Sequence, residues 1–345
     1  MKKSSLFLAV LAFLTAGISV NAQSLSGAGA TFPEPFYNAA FQKYDQIAGV
    51  KVSYGGVGSG GGIRSLKDKV VDFGASDAFL SDAEMKEMPA HIIHIPTCSG
   101  AVVVAFNLPG ISQIKLNNDL LVKIFMGKVT NWSDPSLKKL NPAVKFPNKP
   151  ITVVHRSDGS GTTNMFTDYL NKVSKEWSSK IGVGKTVNWP VGIGAKGNPG
   201  VAGTINQTVG AIGYVGSEYA FAQRISSALL QNKAGKFIKA SIASTSAAGK
   251  GTIPADTRIM LTNSSAADAY PIAGFTWLIL YKEQNYNNRS LAQAQATLKL
   301  IDWMLNHDSQ VIAAKTNYAP LPARVTKSAK AILRTVTYNG KRVLK

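Results

Sequence analysis

Two apolar runs set the terms for how this chain folds: Val102 to Asn107 (VVVAFN) and Ile272 to Leu280 (IAGFTWLIL). Each is short, uncharged and rich in β-branched and aromatic residues, the signature of a strand buried on both faces. Between them lies a stretch long enough to be a domain of its own. A chain that leaves one domain, builds a second and then returns would read this way. The remaining segments alternate strand-like and helix-like, which predicts an α/β architecture. The predicted boundaries are residues 23–106 for the first part of lobe I, 107–271 for lobe II and 272–345 for the return to lobe I. Two lobes joined by two crossings can close on a ligand by hinge motion.

Residues 1–22 have the anatomy of a secretory signal peptide. Lys2 and Lys3 lead, Leu6 to Ile18 form an apolar core, and Val20-Asn21-Ala22 is a small-x-small cleavage site. Cleavage is expected after Ala22, giving an exported product that is not membrane-inserted. The whole chain has 38 Lys and Arg against 19 Asp and Glu. Without Lys2 and Lys3 the balance is 36 against 19, or +17. Such a field draws anions. The basic residues are scattered, apart from Lys327 to Lys345, and neither zinc-finger spacing nor a basic reading helix points to nucleic acid. The single cysteine, Cys98, sits in an apolar setting and is expected to be buried and inert.

Smaller predicted elements include a helix over Pro33 to Asp45, a strand over Val50 to Tyr54 and a helix around Ile63 to Lys69. They are followed by a strand over Val70 to Gly74 and a helix over Ser81 to Met88, opened by a Ser81/Glu84 capping box. Ile92 to Ile95 and Ala101 to Asn107 read as two separate strands. Further on come a strand over Ile151 to His155, a helix over Thr162 to Val173 and a long amphipathic helix over Ser290 to Leu305. The segment from Trp189 to Gly210 reads as glycine-rich.

Three places set small polar residues and glycines at the start of a helix: Ala30-Thr31-Phe32, Gly58-Ser59-Gly60 and Ser160-Gly161-Thr162. Helix N-termini carry unpaired N–H groups and a partial positive charge, so each can cradle an anion. One such place alone is more often a simple cap or turn. Arg156 and Asp158 stand beside the third, where the guanidinium offers forked donors and the carboxylate can brace it. The first glycines, Gly56, Gly58 and Gly61, also spell the dinucleotide pattern G-x-G-x-x-G, with Asp77 about twenty residues on. In an anion site a bare carboxylate at Asp77 repels the ligand unless the ligand carries a proton. Inorganic phosphate does and sulfate does not, so Asp77 could accept a hydrogen bond from the one and reject the other. The alternative is that Asp77 merely caps the loop from Ser76 to Ser81.

Enzyme signatures fail on their spacing. Val57 and Asp158 stand where a G-x-S-x-G elbow around Ser59 or Ser160 needs glycine, and Ser179 stands where a P-loop ending at Gly184-Lys185 needs its first glycine. Of the four histidines, only His91 and His94 lie close in sequence. No catalytic residue, metal or cofactor is expected.

GAGATFP, YGGVGSGGG, VDFGASDA, PGISQIKLNNDLLVKIFMGKVTNW, RSDGSGTT and NWPVGIGAKGNPGVA fall in order along nearly the whole mature chain. Together they closely resemble the phosphate-binding proteins of bacterial Pst ABC transporters. The resemblance implies a type II periplasmic binding protein, with two α/β lobes joined by two hinge crossovers and the ligand in the cleft between them. It implies a monomeric, non-enzymatic receptor that passes inorganic phosphate to the permease subunits of an importer, with the ATPase on the far side of the membrane. The family's ligand contacts fall on Ala30, Thr31, Phe32, Ser59, Asp77, Arg156, Ser160, Gly161 and Thr162, with Asp158 supporting Arg156. Gly60 and Phe79 depart from the Ser and Pro that some relatives carry. A receptor for another oxyanion such as sulfate and, less favoured, a secreted phosphatase are the alternatives.

Overall fold

The computed structural model describes residues 24–344; the predicted signal peptide, residues 1–22, lies outside them. A nine-stranded mixed sheet runs through the molecule. Its strands are β1 (Ser24–Gly29), β2 (Lys51–Gly56), β3 (Phe73–Ser76), β4 (Ile92–Phe106), β5 (Thr152–Arg156), β6 (Ile193–Ala195), β7 (Ala211–Gly216), β8 (Ser226–Ser227) and β9 (Ala273–Tyr281). The order is β2-β1-β3-β9-β4-β7-β5-β6, with β8 paired to β4 off this path. Within each half the outer strands run parallel: β2, β1 and β3 on one side, β7, β5 and β6 on the other. The middle strands, β9 and β4, run antiparallel to their neighbours.

β4 joins the halves. Its residues from Ile92 to Ala101 pair with β9, and those from Val102 to Phe106 pair with β7. All fifteen of its residues are buried, which explains its apolar sequence without alternation. The sequence predicts two strands here, and the structure has one. Pro96, which lacks an N–H for the ladder, sits at a bulge: Pro96 faces Trp277 and Cys98 faces Thr276, leaving Thr97 as the extra residue. Cys98 is fully buried, as its surroundings predict.

Helices pack on both halves. α1 (Glu34–Ala48) lies on β2, and α2 (Ser59–Lys67) on β1 and β3. α3 (Asp82–Lys86) opens with the expected capping box. In the second half α4 (Gly161–Val173) follows β5, and α5 (Gly197–Gln207) packs on β7 and β5. α5 lies inside the segment whose glycines mask a helix in the sequence. α2 begins at Ser59, four residues before the predicted Ile63, so its first turn contains the glycines themselves. Trp132, Trp177 and Trp277 are fully buried in the core. Among the described residues, no helix is long and apolar enough to cross a membrane.

Candidate anion-binding site

The loops at the ends of β1, β2, β3 and β5 meet where the two halves of the sheet face each other. The residues singled out by sequence are all buried there: Ala30, Thr31, Phe32, Ser59, Asp77, Arg156, Ser160, Gly161 and Thr162. A surface hollow of about 430 Å³, lined by Lys51, Lys69, Asp72 and Arg289 among others, lies apart from them.

At the start of α1 three phenols fix three successive carbonyls. Tyr54 donates to Ala30 O at 2.7 Å, Tyr219 donates to Thr31 O, and Tyr318 donates to Phe32 O at 2.5 Å. In a trans peptide the C=O and the next N–H point in opposite directions. Anchoring the Ala30 and Thr31 carbonyls therefore turns the N–H groups of Thr31 and Phe32 away from the phenols, as available donors. Sequence reasoning missed all three tyrosines, because they come from distant segments.

Ser59 opens α2 after Gly58, whose φ of 84° belongs to the left-handed region. A Cβ on Gly58 would lie 2.2 Å from Asp158 Oδ2, so only glycine lets the halves approach here. Ser59 Oγ accepts the N–H of Gly161 at 3.0 Å and that of Asp77 at 3.3 Å. Two incoming donors fill the hydroxyl's acceptor sites, so its own hydrogen is left to be donated. Gly60, one of the departures noted above, donates its N–H to Gly159 O at 2.9 Å, adding a backbone bond between the halves. Phe79, the other, packs edge-on against Trp277.

Arg156 ends β5 and is 4% exposed. Its Nε donates to Asp158 Oδ1 at 2.7 Å and its Nη2 to Asp158 Oδ2 at 2.5 Å, while Nη1 lies 3.4 Å from Thr162 Oγ1. Asp158 also accepts the N–H of Gly197 at 2.9 Å. Burial works to raise the Asp158 pKa, but Arg156 and the backbone donors outweigh it and hold the carboxyl below its ordinary value. Ser160 caps α4 by accepting the N–H of Thr163 at 3.0 Å. That leaves the hydrogen of its hydroxyl to be donated, while its N–H goes to Lys185 O at 2.8 Å.

Asp77 does not cap its own loop. Its Oδ1 accepts from Thr276 Oγ1 at 2.9 Å, and Oδ2 from Thr162 Oγ1 at 3.4 Å. Thr276 stands at the bulge in the β4–β9 ladder, so the irregular register places the hydroxyl that steadies Asp77. Burial pushes the Asp77 pKa up to about 7, against the opposing pull of Thr276, Arg156 and Thr162. Behind the site, burial pushes Glu218 up to about 8.

Asn198, in the first turn of α5, was not foreseen either. It is fully buried and bonds both Thr31 and Thr162, which lie in different halves. A signal for it was present: Asn198-Pro199 precedes Val201, Ala202 and Ile205, the buried stripe of a helix. The arrangement as a whole offers hydroxyls, N–H groups and one guanidinium, with one buried carboxylate among them. Such a set suits a small oxyanion with a proton to give.

A family profile described as a PBP superfamily domain matches residues 15–308. The chain is 38% identical over 342 residues to the phosphate-binding protein PstS of Pasteurella multocida, covering 97% of this chain and 96% of that protein. It is 36% identical over 321 residues to PstS of Methanocaldococcus jannaschii, covering 87% and 82%.

The chain belongs to the PstS family.

The PstS relationship extends to the fold. A phosphate-binding protein from Stenotrophomonas maltophilia superposes with a TM-score of 0.67 at 19% identity, covering 90% of this chain and 94% of that one. A high-affinity periplasmic phosphate-binding protein, PfluDING, bound with phosphate, superposes with a TM-score of 0.72 at 21% identity, covering 90% and 93%. At such identities the likeness speaks to architecture: this PstS-family chain has the α/β periplasmic-binding-protein fold predicted for it.

Proposed function

We propose that the chain is a periplasmic receptor that captures inorganic phosphate and delivers it to an ABC-type importer. The observation that carries this reading is Asp77, a carboxylate buried inside a cluster of donors. An anion with no proton would face an unpaired acceptor there, whereas phosphate supplies the missing hydrogen. The names of the PstS relatives support the same ligand. Sulfate fits less well for that reason.

In this proposal phosphate takes the N–H groups of Thr31 and Phe32 next to Ala30, and the hydroxyls of Thr31, Ser59 and Thr162. The guanidinium of Arg156 and the hydroxyl hydrogen of Ser160 complete the shell, Gly161 brings the start of α4 against the ion without a side chain in the way, and Asp77 takes the ligand's proton. Asp158 holds Arg156 in place. The site is sealed, so binding and release require opening. The lobes follow residues 23–106 with 272–345, and residues 107–271, except that the first crossing moves back to Ala101 and Val102, where β4 exchanges β9 for β7, and the second lies at the segment entering β9. Closure removes water and strengthens each bond to the ion. Permease subunits of the importer then read the closed form, and no chemistry is done on the phosphate. Calorimetric titration of refolded, phosphate-stripped protein tests the reading. Saturable heat with phosphate at micromolar concentration is expected; no heat up to millimolar phosphate would overturn it.

A further inference from the structure

We infer that Asn198 is a positioning residue that sets the hydrogen-bond polarity of the site, turning the hydroxyls of Thr31 and Thr162 into donors toward the bound anion. The inference rests on the phosphate-receptor reading above.

A threonine hydroxyl can accept or donate, and an asparagine amide can face either way, so the surrounding network decides both. Gly216 N–H, which can only donate, lies 2.9 Å from Asn198 Oδ1. That contact fixes the oxygen end of the amide and turns Nδ2 toward the threonines. Nδ2 then donates to Thr31 Oγ1 at 3.0 Å and to Thr162 Oγ1 at 3.1 Å. Thr31 Oγ1 also accepts the backbone N–H of Asn198 at 3.0 Å. With both acceptor positions of Thr31 filled, its single hydrogen must go to another acceptor.

Thr162 is arranged in the same sense. It accepts from Asn198 and, at 3.4 Å, from Arg156 Nη1. Its hydrogen is directed at Asp77 Oδ2, also 3.4 Å away. Bonds of that length are weak, so an anion oxygen coming closer takes the hydrogen instead. Among Thr31, Thr162 and Asp77, only the carboxylate is left able to accept. The chain of fixed orientations starts at Gly216, at the end of β7. It therefore gives Asp77, and neither threonine, the task of taking the ligand's proton.

Double-mutant cycles on phosphate affinity test this, with the wild-type titration reporting separately on whether phosphate binds at all. Asn198→Ala is expected to weaken binding by about tenfold to a hundredfold, the range for a hydrogen bond to a charged group. If Asn198 acts through the two threonines, its cost shrinks in a Thr31→Val background and falls below about threefold in the Thr31→Val, Thr162→Val double background. In a Ser59→Ala background, where Asn198 makes no contact, its full cost is expected to return. Asn198→Asp keeps the shape but replaces the donor end with an acceptor, and is expected to bind at least as weakly as Asn198→Ala even where it melts like wild type. Wild-type affinity in Asn198→Asp, or losses that simply multiply for Asn198 and Thr31, would overturn the inference while leaving the receptor reading intact.

Discussion

Arg156 and Asp158 are joined by two parallel bonds, Nε to Oδ1 at 2.7 Å and Nη2 to Oδ2 at 2.5 Å, two residues apart in sequence. The pair aims the guanidinium while leaving Nη1 on the side of Thr162. A lysine at position 156 keeps the charge but has no planar fork to match the carboxylate. Arg156→Lys is therefore expected to weaken phosphate binding by about tenfold or more. Asp158→Asn is expected to do less, because the lost brace is offset by an unneutralised positive charge near the anion. Titrations of the two variants side by side check this ordering.

Gly161 is a second place where the halves come into close contact. A Cβ there would lie 2.6 Å from Ser59 Oγ and 2.7 Å from both Asp77 N and Asp77 Cβ, all across the interface. Gly161→Ala should block closure without straining its own helix, since alanine suits a first turn. Phosphate affinity is expected to fall by about tenfold or more while the unliganded melting temperature moves by only a few degrees or less. Calorimetry and thermal melts of the same preparation measure both.

Asp77 makes the stability of the unliganded protein depend on pH. Its carboxyl titrates near 3.8 when unperturbed and near 7 when folded. Between those values the folded state binds a proton that the unfolded state does not, so this contribution is full below about pH 4 and is lost as pH rises through about 7. Glu218, raised to about 8, acts in the same direction. His94, lowered to about 3 by burial, acts oppositely below its ordinary value of 6.5. Both are shared by wild type and Asp77→Asn, so the difference between the two isolates Asp77. In phosphate-free buffer the melting temperature of Asp77→Asn relative to wild type is expected to climb from pH 5 to pH 8. A difference that stays flat across that range would count against the buried carboxylate.

The sequence made the donors easier to see than the groups that orient them. Ser59, Arg156 and Ser160 announce themselves because glycines, a capping position and a neighbouring acid mark them locally. Asn198, Thr276 and the three tyrosines act through contacts made only after distant segments meet. Tyr318, for example, reaches Phe32 across 286 positions. Local pattern also misjudged β4, where Pro96 breaks the reading into two strands but the chain absorbs it in a bulge. That same bulge supports Asp77 through Thr276, so the irregularity that hid the strand also serves the site. The glycines between β2 and α2 and in its first turn misled in another way. They fit a dinucleotide pattern, yet here they let α2 begin at Ser59 and let Asp158 approach Gly58.

The most direct test compares phosphate and sulfate binding in wild type and in Asp77→Asn, all four titrations at one ionic strength and at a pH of about 8.5, where Asp77 is ionised. Wild type is expected to bind phosphate and to remain silent to sulfate at millimolar concentration. In Asp77→Asn the asparagine can donate to an anion that brings no proton, so discrimination is expected to shrink by about a hundredfold or more. An unchanged ratio of the two affinities would contradict the claim that Asp77 takes the ligand's proton.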